Sequence, residues 1–233
     1  MNILITGANR GLGRHLVEKA LINNHKVYAG IRKINDVASE LKDLKDRYEK
    51  KMNLIELDVS DEESIKRAAI HVSKEEDSLD VIVNNAGILK GRGKEIEDLD
   101  YTDLEDTLKI NLMGPMMVVK YFLPLLKKGR DKVIINISSE AGSFANAYGG
   151  DYPYAVSKAA LNFFTAQLKD AMKDYKGRVY AVHPGWMKTD MGGTSAPLSP
   201  EISAEGIMKI IEGDIKVDDN QFFIDFKGQP MKL

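Results

Sequence analysis

The chain reads as an α/β fold: a doubly wound, seven-stranded parallel sheet with helices on both faces. Three observations predict it. Seven short β-rich apolar runs recur along the 233 residues. They are continuously apolar rather than alternating, as strands buried on both faces are. Between them lie stretches with a 3.6-residue apolar period, and strand alternating with helix specifies a parallel sheet wrapped on both sides.

The elements follow in order. NILIT, residues 2–6, is the first strand, and the turn TGANRGLG leads into a helix with Leu12, Leu16, Val17, Ala20 and Leu21 on one face. KVYAGI (26–31) and NLIEL (53–57) are the second and third strands. Ser60 with Glu63, and Thr102 with Glu105, have the spacing of capping boxes that open helices. DVIVN (80–84), KVIINIS (132–138), RVYAVH (178–183) and QFFID (221–225) complete the strands. MKTDMGGTSAPLSP (187–200) is dense in Gly, Ser, Thr and Pro and reads as a long mobile loop. No repeat or low-complexity linker interrupts the chain, so residues 1–233 are expected to form a single domain.

Composition narrows the function. With 43% apolar residues, 29% charged residues and a net charge of -2, the chain has no basic excess to attract nucleic acid or anionic lipid. It has no cysteine, which excludes disulfides, thiolate catalysis and Cys-based zinc sites and fits a reducing compartment. His15, His25, His71 and His183 are scattered without paired ligand spacing, so no catalytic metal is expected. The first strand begins at Asn2 with no basic n-region or h-region ahead of it, which points to the cytoplasm. INLMGPMMVVKYFLPLL (110–126) is shorter than the ~20 apolar residues a bilayer needs, and reads as a buried helix or subunit interface.

Two places carry chemistry. Gly7, Gly11 and Gly13 stand between a strand and a helix, where glycines allow a tight turn and let backbone N–H groups approach a pyrophosphate at the positive helix end. In DYPYAVSKAAL (151–161), helical spacing sets Tyr154 beside Lys158, whereas Tyr152 has only Val156 one turn on. A nearby ammonium stabilises a phenolate and draws its pKa of about 10 toward neutrality, which suits proton exchange with a substrate. About one Tyr-x-x-x-Lys is expected by chance among 9 tyrosines in a lysine-rich chain. Asp58, after the third strand, suits either an adenine amino group or a helix cap, and NNAG (84–87) either a cofactor wall or a turn.

Taken together, TGANRGLG, LDV, NNAG, Asn111, ISS (137–139), YAVSK and HPGWMKTDMGG occur in the order found in the classical short-chain dehydrogenases/reductases, a Rossmann-type family. The resemblance spans nearly the whole chain and is nearest to carbonyl reductases of the sniffer and C-factor type. It implies that Tyr154 is the acid/base, that Lys158 lowers its pKa and binds the nicotinamide ribose, and that Ser139 binds the carbonyl oxygen. Asn111 would order a water that relays protons to Lys158. The family places its serine 13 residues before the tyrosine; here Ser139 precedes Tyr154 by 15, so Ser138 and Ser143 are alternatives, with FANAYGGDY as the inserted length. The cofactor would meet Gly7, Asn9, Arg10, Gly11, Leu12 and Gly13 in the first turn, and Ile31 and Arg32 after the second strand. Asp58, Val59, Asn85, Ala86 and Gly87 would follow, then Pro184, Gly185 and Thr189, with Tyr154 and Lys158 on the nicotinamide side. Trp186 either lines the substrate pocket or packs.

NAD-preferring relatives carry an acidic residue where this chain has Ile31, and Arg32 and Arg10 suit a 2′-phosphate, so NADP is expected with NAD as the alternative. The expected reaction is reduction of an aldehyde or ketone. The rival is a regulatory or signalling protein that binds the cofactor with little turnover. Surplus apolar faces on 110–126 and 160–172 predict a homodimer or homotetramer.

Overall fold

A computed structural model describes residues 1–233. Its strands are β1 (Asn2–Thr6), β2 (Lys26–Ile31), β3 (Met52–Glu56), β4 (Val81–Asn84), β5 (Val133–Ile137), β6 (Arg178–His183) and β7 (Phe223–Asp225). All pairings are parallel, in the order β3-β2-β1-β4-β5-β6-β7. The seven-stranded doubly wound sheet expected from the sequence is therefore present, with several strand ends trimmed by one or two residues.

Successive side chains of a strand point to opposite faces, and the two cores show it. Ile3 and Ile5 join one cluster while Leu4 joins the other. Helices α1 (Gly11–Ile22), α2 (Ser39–Arg47) and α7 (Pro200–Glu212) supply Leu16, Leu41 and Ile207 to the first face. Helices α3 (Glu62–Glu75), α5 (Gly114–Lys128) and α6 (Tyr152–Ala171) supply Ile65, Phe122 and Leu168 to the second. Each such side chain contributes about 1.5–3 kcal/mol by leaving water. Helix α4 (Tyr101–Leu108) packs against α6.

Both helix caps differ from expectation. Asp61, not Ser60, accepts the Glu63 N–H at the start of α3, and at the start of α4 the cap is Asp100 rather than Thr102, whose N–H it accepts. In each case a carboxylate nearby takes the cap, and the Ser60 hydroxyl donates instead to Asp58. The 110–126 stretch divides. Residues Lys109–Met113 form a wide π-turn and α5 follows, burying Val118, Val119, Phe122, Leu125 and Leu126. No helix is long and apolar enough to cross a membrane.

Between β1 and β4 the order of connection reverses, since β1 leads outward to β2 and β3 while β4 returns to its other side. In open α/β sheets ligands bind outside the carboxyl ends of the strands at such a point.

Candidate active site

At the end of β1 the Thr6 hydroxyl accepts the N–H groups of Asn85 and Ala86 at 3.0 and 3.1 Å. The Asn85 amide donates to the carbonyls of Thr6 and Gly7 at 2.9 and 3.1 Å. The glycine turn and the NNAG turn are thus one unit across the switch point. Gly7 has φ 64° and Gly11 φ 53°, a backbone region open chiefly to glycine. Gly13 is required by space, because a Cβ there would stand 2.2 Å from the Gly7 carbonyl oxygen and 2.5 Å from the Asn85 amide nitrogen. Arg10 occupies the N-cap of α1 without a side-chain cap bond, so no side chain there satisfies the N–H groups of the first turn. A helix end of this kind fits a pyrophosphate.

Around that turn, Asn9 donates to the Asp36 carbonyl and accepts the Ala38 N–H, both at 2.8 Å, fixing the loop after β2. Ile31 is buried at the end of β2, Leu12 is buried in α1, and Arg32 is exposed. Arg10 reaches Asp190 at 2.8 Å, both side chains lying largely in solvent. Of the two readings of Asp58, the helix cap is not what its side chain does here, since Asp61 caps α3. One carboxylate oxygen of Asp58 accepts the N–H and hydroxyl of Ser60 in a local turn. Val59 lies under the start of α5, where a Cβ on Gly114 would stand 3.0 Å from it.

Segment 187–200 is closed at its base. Met187 bridges to Leu198, the Lys188 N–H donates to Leu198, and the Trp186 indole donates to Gly192 at 2.8 Å. Trp186 is exposed. Pro184 is buried, and Gly185, at φ 82°, leaves room for Leu198, which a Cβ would approach to 2.6 Å. The Thr189 methyl would lie 3.6 Å from a Cβ on Gly11, so this loop folds back onto the glycine turn.

The candidate proton-transfer groups converge beside the carboxyl ends of β4 and β5. Lys158 is buried, donates to the Ile137 carbonyl at 2.7 Å, and sits 5.5 Å from the centre of the Tyr154 ring. Burial lowers its ammonium to about 8. A Cβ on Gly87 would stand 3.8 Å from the Lys158 nitrogen, so glycine there keeps space open above the ammonium. Burial pushes the Tyr154 phenol above its ordinary value, while the nearby Ser139 hydroxyl and then the charge of Arg92 pull it back. The expected lowering by Lys158 is therefore not the net outcome: desolvation prevails, and the lysine lies toward the ring face.

The three candidate serines separate by environment. Ser138 is buried and donates to Asn162 at 2.5 Å, and the Ser143 hydroxyl is buried without a partner. Ser139 is half-buried, accepts the Ala141 N–H at 3.2 Å and stands near enough to Tyr154 to draw its phenol down. The two extra residues are taken up by short turns at Glu140–Gly142 and Phe144–Asn146, which leave Phe144 and Tyr148 exposed.

Asn111 sits buried in the π-turn, a local widening common at functional sites. Both ends of its amide are engaged: it accepts the Ile88 N–H at 2.8 Å, and donates to the Ile88 carbonyl at 2.9 Å and the Ser157 hydroxyl at 3.1 Å. Its side chain thus braces the backbone after Gly87.

A sequence model of the short chain dehydrogenase family matches residues 1–197. The chain belongs to that family. The fold of this short-chain dehydrogenase superposes on the carbonyl reductase Sniffer of D. melanogaster with a TM-score of 0.90 and 35% identity, covering 100% of this chain and 99% of that one. An NADPH-bound carbonyl reductase from chicken fatty liver matches with a TM-score of 0.86 and 31% identity, covering 100% and 98%. C-signal of Myxococcus xanthus is 36% identical over 151 residues, 64% of this chain and 90% of that protein.

Sequence reasoning did not single out several residues that brace the candidate site. Ser157 donates to the Tyr154 carbonyl at 2.7 Å while receiving Asn111. Arg92 reaches the Met191 carbonyl at 3.2 Å and Asp151 at 3.7 Å, joining the loops on either side of Tyr154. His183 accepts the Glu140 N–H at 3.2 Å, and burial holds its ring below the usual imidazole value. The helical spacing of Ser157 to Tyr154 was legible; the partners from distant loops had no local signal.

Proposed function

We propose that this member of the family is an NADP(H)-dependent carbonyl reductase with Tyr154 as the acid/base. The observation that carries this reading is Tyr154 beside the buried Lys158, 5.5 Å from ring centre to ammonium nitrogen, with Ser139 near enough to act on the phenol. The residues fit the cofactor: the first turn of α1 lacks a side-chain cap, no carboxylate stands at Ile31, and Arg10 and Arg32 are exposed. The glycine turn would hold the pyrophosphate, Arg10 and Arg32 the 2′-phosphate, and Lys158 the nicotinamide ribose. When bound, the cofactor supplies the hydride.

The chain's own groups then do the rest. The Ser139 hydroxyl orients the substrate oxygen, and the Tyr154 O–H donates its proton there as negative charge develops. A phenol raised by burial is a donor that stays protonated at neutral pH. The buried ammonium of Lys158 offsets the phenolate left behind. Asn111 keeps Ile88 and Ser157 in register on either side. Trp186, Met191, Phe144 and Tyr148, on loops either side of Tyr154, offer exposed apolar surface for the substrate body.

The absence of cysteine suits the cytoplasm, and the chain acts as one domain in a homodimer or a tetramer built from it. The likeness to C-signal favours a second reading, a cofactor-binding signalling protein. Consumption of NADPH against a panel of aldehydes and ketones separates them. Turnover supports the reductase; tight NADPH binding with no turnover on any carbonyl supports the signalling protein.

A further inference from the structure

We infer that Asn162 is the positioning residue that sets Ser139 against Tyr154, a proposal that rests on the active-site reading above. Asn162 follows Tyr154 and Lys158 at helical spacing on α6 and is 1% exposed. Its carbonyl oxygen accepts the Ser138 hydroxyl at 2.5 Å, and its amide donates to the Gly142 carbonyl at 3.2 Å. These partners bracket Ser139: Ser138 precedes it, and Gly142 ends the 3-10 turn that Ser139 caps.

A second feature holds the same turn. A Cβ on Gly142 would stand 2.6 Å from the Lys158 carbonyl carbon and 2.8 Å from the Ala159 nitrogen, so the turn's backbone lies directly on α6. Asn162 therefore links the element that carries Tyr154 to both flanks of the serine near it. Helix α6 does not need this bond to stay on the sheet, since Thr165 accepts from Asn136 at 2.9 Å and Lys158 donates to Ile137. A buried apolar residue would cover the same surface without desolvating an amide. What the amide adds is direction, because a fully satisfied buried polar pair admits one arrangement of its neighbours.

Asn162→Leu tests this by deleting both bonds at similar volume. Thr165→Val is the control, cutting the Asn136 bond on the same buried face of α6 while leaving the Ser139 turn alone. Asn162→Leu should lower kcat for carbonyl reduction about 10- to 100-fold, as small misplacements of reacting groups do, with the KM for NADPH unchanged. It should also move the alkaline limb of the kcat profile to higher pH, because the nearby Ser139 hydroxyl favours the phenolate. The other groups facing the phenol, Lys158, Arg92, Tyr148 and Asp151, are the same in both variants. Thr165→Val should leave that limb in place. If Asn162→Leu does not fold, Ser138→Ala removes one of the two bonds and should give a smaller shift in the same direction. A lowered kcat with an unmoved limb, or no loss in either variant, overturns the proposal. Unchanged kcat in Ser139→Ala would instead defeat the active-site reading beneath it.

Discussion

The Lys158 ammonium lies 5.5 Å from the centre of the Tyr154 ring and gives its hydrogen bond to the Ile137 carbonyl, 2.7 Å away. The lysine is thus held by the sheet rather than by the tyrosine.

Tyr154→Phe should keep the fold and cofactor binding while lowering the reduction rate by about 10³ or more, because it deletes the proton donor. Tyr152, the first residue of α6, has no such partners, and Tyr152→Phe should be far milder. Steady-state kinetics on both variants, with NADPH binding followed by fluorescence, checks this; equal losses would rule it out.

Lys158 also predicts how stability varies with pH. Its folded value of about 8 lies below the ordinary 10.5, so between these the unfolded chain binds more protons and this group makes stability rise with pH. Below about 8 the buried charge costs on the order of 3 kcal/mol, at 1.36 kcal/mol per pK unit. Lys158→Met should therefore be inactive yet more stable at pH 7, with the advantage shrinking toward pH 10.5. Urea unfolding of both proteins across that window is the measurement, and a constant difference would contradict it.

Replacing Ile31 by Asp and Arg32 by Ala should shift preference from NADPH toward NADH. Each lost charge-assisted contact costs roughly 1.5 to 3 kcal/mol of NADP binding, and the new carboxylate repels the 2′-phosphate. The ratio of kcat/KM for the two cofactors reads this directly. An unmodified protein that prefers NADH would reverse the assignment.

Light scattering at micromolar concentration should show a dimer or tetramer. Val156 and Phe163 on α6, and Met113 and Met116 at the start of α5, are 54%, 67%, 54% and 36% exposed. That apolar surface suits a twofold mate. Phe163→Glu should yield monomers without unfolding the chain; an oligomer that survives it must use another face.

Sequence by itself determined the sheet, the helices and the glycine turn of this protein, because apolar period, strand length and turn glycines are local properties of a chain. The register of Tyr154 over Lys158 was legible for the same reason: four residues on a helix always stack. Tertiary structure alone decided the rest. Spacing left three serines open, and only the packing of α6 on the 139–142 turn sends Ser138 to Asn162 and leaves Ser139 as the serine near Tyr154. Both helix caps lie one or two residues from the hydroxyl the spacing points to, because a carboxylate stands near each helix start and geometry selects it. The direction of the Tyr154 shift was likewise hidden. A neighbouring ammonium is visible in the sequence, but the desolvation that raises the phenol is not, because burial is a property of the assembled fold.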